Sequence, residues 1–243
     1  MDAISFHRCL VLLVRSEKLR VRVIQCLFLN GLIFLGSIMF FNFLISPILS
    51  KTDTILFWTE WMYYVLWIFP VYLLSFILNA FWYQDIASES IRIYPMKRPS
   101  VSSSLTGEIV EVIHRSIFSL CFLIFLVIIQ RWRFIYLINL CWLIAYNAWE
   151  YRWIYFKKNS ENKLKNFESN SIYYFFFGLP LALISFQFPS IIENGLISVS
   201  FPFLLMMAST ANAPPGSTGR VRILILPEIM SKIFIFLLKF FST

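Results

Sequence analysis

The chain has 243 residues, of which 59% are hydrophobic and 14% charged. A soluble domain carries about 25% charged residues, and the charges here are segregated from long apolar runs, which excludes an ordinary soluble globule. A net charge of +8 would suit a nucleic-acid binder, but the basic residues flank apolar runs and do not interleave with polar recognition segments. The expected partner is therefore the lipid bilayer and not nucleic acid.

The expectation is an all-α integral membrane protein with about six hydrophobic segments. Residues 1–22 form a basic cytosolic arm, with Arg8, Arg15, Lys18, Arg20 and Arg22. Two readings of this arm stand side by side: an interfacial amphipathic helix, or a solvated lead into the first span. Val23 to Ser50 carries no charge. It is too long for a signal-peptide core of about 7–15 residues, so it is expected to stay as the first span, with Pro47 marking its end. A short polar loop with Lys51, Asp53 and Glu60 follows.

Trp61 to Gln84 is the second charge-free run, with Pro70 near its middle. A proline there favours a kink. The run closes on Asn79-Ala80-Phe81-Trp82-Tyr83-Gln84-Asp85-Ile86-Ala87. Aromatic rings, an amide and then a carboxylate suit a helix leaving a membrane at the headgroup level. Residues 85–115 are the longest polar region, with Lys97-Arg98-Pro99 and a serine run that breaks regular structure.

Residues 116–130 and 134–149 are both apolar, separated by Arg131-Trp132-Arg133. Each falls short of the roughly 20 residues of an upright crossing. The pair reads either as two short spans whose arginines snorkel to the far interface, or as a partly penetrating helical hairpin with Arg131 and Arg133 at its tip. Glu150-Tyr151-Arg152-Trp153 then opens a polar loop that runs to Glu168. Asp85 could pair with Arg152 across helices.

Ser169 to Ile192 is charge-free and contains Gly178 and Pro180. The helix is expected to bend or break there, and Glu193-Asn194-Gly195 to make a tight turn. A last apolar stretch ends near Ala211, giving a multi-pass membrane domain over 23–213. Residues 214–243 form a cytosolic tail whose apolar run from Ile233 to Leu238 is too short to span and suits the membrane surface. Every Lys and Arg except Lys51, Arg131 and Arg133 falls in residues 1–22, 85–115, 150–168 or 220–243. These regions share one side, so both termini are expected in the cytosol.

The chain contains four cysteines and two histidines. No HExxH, G-x-S-x-G, P-loop or G-x-G-x-x-G motif is present, and no spacing suggests a metal or cofactor site. No catalytic, cofactor-binding or metal-ligating residue is therefore expected, and no enzyme. Cys9 is the one cysteine in the arm, where lipidation would be possible.

Four stretches carry a resemblance to a known family. Asn79-Ala80-Phe81-Trp82-Tyr83-Gln84-Asp85-Ile86-Ala87 resembles the N-A-L-W-x-Q-D-I-A stretch of the etoposide-induced protein 2.4 (p53-induced gene 8) family. Glu150-Tyr151-Arg152-Trp153 resembles its E-Y-R-W element. Tyr173-Tyr174 with Phe177-Gly178-Leu179-Pro180-Leu181-Ala182 is similar to its Y-Y-F-x-F-G-L-P-L-A segment. Ser209-Thr210-Ala211-Asn212-Ala213 is similar to its S-A-N-E-A ending, with Ala213 where an acid is expected. On this resemblance the family-motif residues are Asn79, Trp82, Gln84, Asp85, Glu150, Tyr151, Arg152, Trp153, Gly178, Pro180 and Asn212.

The resemblance implies a multi-pass protein of the endoplasmic reticulum acting in autophagy, in maturation to degradative autolysosomes, with links to growth suppression and apoptosis. Unidentified protein partners would bind through the cytosolic loops 85–115 and 150–168. The family is also distantly similar to CysZ-type sulfate permeases. That similarity implies a small-anion transport pathway as the alternative, with Arg131 and Arg133 on the path.

Overall fold

The computed structural model describes residues 6–49, 53–94, 121–122, 124–158, 160–212 and 229. Among the described residues the regular structure is helical. The elements are α1 (Phe6–Arg15), α2 (Glu17–Ile48), α3 (Phe57–Ile93), α4 (Arg133–Tyr155), α5 (Ser160–Ser169), α6 (Ser171–Ser185) and α7 (Ser190–Thr210). Among the described residues, three helical segments are long and apolar enough to cross a membrane: α2, α3 and Ile192–Thr210 within α7. α6 is apolar but shorter. The serine run at 100–104, residues 116–120 and the tail from 214, Ile229 apart, lie outside the described residues.

The chain falls into two compact units. One comprises Ser5–Pro95 with Ile184–Thr210, and the other Met96–Leu183 with Ala211 onward. In the first unit, α3 packs against α2 and α7, and α1 packs against α2 and α7. Asn30 meets Asn79, Arg22 meets Asp85 and Ser16 meets Glu89. Residue numbers fall along α2 as they rise along α3, so the two helices are antiparallel.

The prolines do not break these helices. Ahead of Pro70 lies a π-helical turn, Tyr64–Ile68, closed by a bond from the Phe69 N–H to the Tyr64 carbonyl. Ahead of Pro47 lies a second, Phe41–Ile45, closed from the Ser46 N–H to the Phe41 carbonyl. A proline leaves a carbonyl one turn upstream without its donor. Local widening to a five-residue bond re-satisfies the backbone where no water is at hand.

Outward from these contacts, Phe28, Leu32 and Phe43 of α2 and Leu66, Leu73, Ile77 and Phe81 of α3 are exposed. An apolar surface of this extent belongs against lipid. Trp58, Trp61 and Trp67 lie exposed in the first half of α3. Tyr63 donates to the Ser37 carbonyl at 2.6 Å, and Trp67 Nε1 to Ser37 Oγ at 3.0 Å. Rings with an apolar body and a polar edge suit a membrane–water boundary.

In the second unit, residues 124–129 are helical and a turn at Gln130–Trp132 leads into α4, with the Trp132 N–H bonded to the Ile129 carbonyl at 2.8 Å. The expected turn at Arg131 is therefore present, and Arg133 is the first residue of α4. α4 ends in a left-handed residue, Lys157, at φ 51°. Lys157 N–H bonds to the Ile154 carbonyl at 2.9 Å, and Lys158 N–H to the Trp153 carbonyl at 3.0 Å. This pair of bonds is a Schellman ending, which turns the chain toward α5.

Several boundaries differ from the sequence reading. α3 outlasts the charge-free run that closes at Gln84, continuing to Ile93 with Ile86, Ala87 and Ile91 buried. Glu150 does not open a loop, because α4 continues through it to Tyr155. α6 runs unbroken through Gly178 and Pro180. Glu193, Asn194 and Gly195 lie inside α7, and the turn falls earlier, at residues 186–188. In each case a local signal, a first charge or a Pro/Gly, gave way to tertiary packing.

Candidate functional site

Within the stretch Asn79–Ala87, Asn79, Tyr83, Ile86 and Ala87 lie on the inner face of the first unit. Asn79 and Asn30 exchange amide hydrogen bonds at 2.9 and 3.0 Å, and both are buried. Each amide satisfies one donor and one acceptor of the other. This closed pair is the form in which a polar group is tolerated between apolar helices. One turn on, the Tyr83 hydroxyl donates to the Ser198 carbonyl at 3.1 Å, and its ring lies 4.9 Å from that of Phe201. Asp85 forms an ion pair with Arg22 at 2.8 Å. The Asp85 carboxylate thus takes a charge partner from α2, Arg22, where the sequence reading raises Arg152. Glu89 accepts from Ser16 at 2.9 Å and pairs with Arg92 at 2.6 Å.

Trp82 and Gln84 are half-buried. The motif therefore alternates residues that hold α2 and α7 with residues turned partly outward.

α7 reaches this seam through small residues. A Cβ added at Gly31 would meet Val199 Cγ2 at 3.6 Å, and one at Gly195 would collide with the Leu35 side chain. At the other end of α7, Arg8 donates to the Thr210 carbonyl at 2.9 Å, and the Cys9 thiol to the Phe203 carbonyl at 3.7 Å. Cys9 and Leu12 are buried, so α1 is not a freely solvated arm. Burial pushes the Cys9 thiol up to about 11. A buried, protonated thiol is a poor nucleophile, which argues against lipidation of Cys9 in the folded protein.

The second unit is built around aromatic rings. Trp149 is fully buried, with the rings of Tyr174, Tyr173 and Phe177 at 5.4, 5.8 and 6.0 Å, all edge-on. Phe167 stacks on Tyr174 at 4.4 Å, and Tyr146 and Trp153 meet Phe167 edge-on. Edge-to-face packing aligns positive ring edges with negative faces, worth about 0.5–1.5 kcal/mol per pair beyond area burial. The close approach of α6 to α4 depends on Gly178. A Cβ there would lie 2.8 Å from the Cys141 carbonyl carbon and collide with its oxygen. Gly178 is a contact glycine, and Pro180 is exposed within the same helix.

Arg152 is buried, lies 4.8 Å from the Trp149 ring centroid and donates to the Ala211 carbonyl at 2.5 Å. A desolvated guanidinium over an aromatic face gains a cation–π contact of about 2 kcal/mol. Glu150, Lys163 and Glu168 are also buried, and none of them is without a partner. Tyr151 is half-buried. Lys158, beyond the end of α4, is held below the usual lysine range by burial and then by the nearby Arg152.

Comparison with known proteins matches residues 5–187 to the family described as Sulfate transporter CysZ/Etoposide-induced protein 2.4. The chain belongs to this family. Among its relatives is a Protein EI24 homolog of Dictyostelium discoideum, 30% identical over 86% of this chain and 71% of the relative. A Protein EI24 homolog of Arabidopsis thaliana is 30% identical over 91% of this chain and 83% of the relative. No solved structure matches the chain.

The family-motif residues divide between the units. Asn79, Trp82, Gln84 and Asp85 lie on α3 in the first. Glu150, Tyr151, Arg152, Trp153, Gly178 and Pro180 lie on α4 and α6 in the second. Asn212 is exposed just beyond α7. Arg131 and Arg133 are exposed at and beside the turn, next to exposed Trp132 and Phe134. Among the described residues, no group of His, Cys, Asp and Glu could hold a metal ion.

The sequence reading leaves Asn30 unnamed and takes Arg22, Lys163 and Glu168 only as charges of the basic arm and the polar loop. Asn30 carried a usable signal, as an amide within the charge-free run Val23–Ser50. The others sit among ordinary charges, and only the fold shows that they are enclosed.

Proposed function

We propose that this protein is a multi-pass membrane protein of the endoplasmic reticulum that acts in autophagy, in the maturation to degradative autolysosomes, with links to growth suppression and apoptosis. One observation carries the reading: the 30% identity to Protein EI24 homologs over most of both chains. Two polar motif residues of α3 are engaged in helix–helix contacts, Asn79 with Asn30 and Asp85 with Arg22.

The distribution of Lys and Arg supports cytosolic termini. Protein partners would bind on that side, through what lies beyond Ile93 and through the exposed surface of α5, which carries Glu161 and Lys165. Deleting the gene should slow turnover of an autophagic cargo, and the wild-type chain should restore it. Reversing the charges of Glu161 and Lys165 should leave the fold intact and impair that rescue. Unchanged cargo turnover on deletion would overturn the proposal.

A second reading is a small-anion, sulfate-type pathway. It is favoured by the exposed Arg131 and Arg133 and by the sulfate transporters in the same family. It requires sulfate flux into liposomes that is lost when both arginines become alanine. Well-folded protein without flux would remove it.

A further inference from the structure

The corner between α1 and α2 is held rigidly. Ser16 Oγ accepts from the Leu19 N–H and donates to Glu89. Arg20 reaches back to the carbonyls of Leu13 and Val14, at 3.0 Å each, and so closes the last turn of α1. Arg8, Cys9 and Leu12 hold the inner face of α1.

The outer face of this corner is amphipathic. Leu10 and Val14 are 58% and 77% exposed, and Val21 and Ile24 follow them on α2. Leu10 and Val14 lie one turn apart on α1, and Val21 and Ile24 lie one turn apart on α2, where they lead into Phe28 and Leu32, the lipid-facing ridge of the span. Arg15, Lys18 and Arg20 are exposed beside them, with Glu17 as the neighbouring acid. Arg20 is bonded to neutral carbonyls, so its charge is not cancelled. Glu89, the other acid near Lys18, is paired with Arg92.

An apolar ridge continuous with a membrane-facing surface identifies what covers it. The cations beside it identify which lipid. We propose that the α1–α2 corner binds the acidic phospholipid headgroups of the membrane that α2 crosses. Arg15 and Lys18 meet the headgroup charge, while Leu10 and Val14 enter the acyl boundary. Basic residues beside a membrane each raise the affinity for an acidic surface by roughly fivefold, and an amphipathic helix adds its apolar area. This inference is independent of the autophagy and anion readings.

The test uses the full chain in lipid nanodiscs, carrying His7→Cys labelled with a fluorescent donor. His7 is exposed and all four native cysteines are buried, so labelling is selective while the fold holds, and an unreactive Cys9 reports that α1 remains docked. Energy transfer is measured to headgroup-labelled phosphatidylserine or headgroup-labelled phosphatidylcholine at equal mole fraction. The proposal expects stronger transfer to phosphatidylserine, with the preference lost in Arg15→Gln/Lys18→Gln and kept in Arg15→Lys/Lys18→Arg. Equal transfer to both lipids, or a preference unchanged in the glutamine variant, would overturn it. Loss of the preference to excess inorganic phosphate at constant ionic strength would also overturn it, since the site would then recognise free phosphate.

Discussion

The two units solve the same problem differently. The first joins long apolar helices by a few polar contacts at intervals: an amide pair at Asn30 and Asn79, an ion pair at Arg22 and Asp85, a hydroxyl–carboxylate bond at Ser16 and Glu89. The second encloses its charges, Glu150, Arg152, Lys163 and Glu168, in and around a shell of aromatic rings. The difference lies in what specifies the contacts. Between helices in lipid, apolar contact gives no preference for the partner over the acyl chains, so packing and hydrogen bonds set specificity. In the second unit, edge-to-face ring pairs add to what area burial contributes.

The contrast can be broken most forcefully at Trp149. Trp149→Ala removes the largest fully buried side chain and should lower stability by about 3–5 kcal/mol. Thermal unfolding in detergent checks it. A loss below about 1 kcal/mol would mean that the shell is not the core of its unit.

Gly178→Ala comes next. The colliding atom is the Cys141 carbonyl, which cannot rotate away, so a loss of about 1–3 kcal/mol is expected. Gly31→Ala is its control in the first unit. Its Cβ would meet Val199 Cγ2 at an ordinary 3.6 Å, and the change should be neutral or stabilising by up to about 1 kcal/mol. Equal effects at the two glycines would remove the distinction.

The amide pair should give a smaller signal. A double-mutant cycle with Asn30→Ala and Asn79→Ala should show a coupling of about 0.6 kcal/mol, at most about 2 kcal/mol. Asp85→Asn should cost least, up to about 1 kcal/mol, because Asp85 and Arg22 are each about a third exposed. That loss should shrink as salt is raised.

Much of this architecture is legible in the chain. The runs Val23–Ser50 and Trp61–Gln84 identify two spans by length and absence of charge alone, and Arg131-Trp132-Arg133 marks a turn because two arginines interrupt an apolar stretch. Helix ends are less legible. Both α3 and α4 run on past the first charge after an apolar run, where Asp85 pairs with Arg22 and Glu150 is enclosed. Gly178-Leu179-Pro180 looks like a break, but packing on Cys141 requires the glycine within an intact helix. Glu193-Asn194-Gly195 looks like a turn, but Gly195 is there to admit Leu35. These outcomes depend on residues far away in the chain, which local patterns do not encode.

The central claim is that Asn79–Ala87 forms the packing seam between α3 and α2. Disulfide cross-linking in native membranes tests it most directly, using Asn30→Cys paired with Asn79→Cys and, as comparison, with exposed Phe81→Cys. The seam predicts an efficient bridge between positions 30 and 79 and little between 30 and 81. A bridge from 30 to 81 forming at least as readily would contradict it.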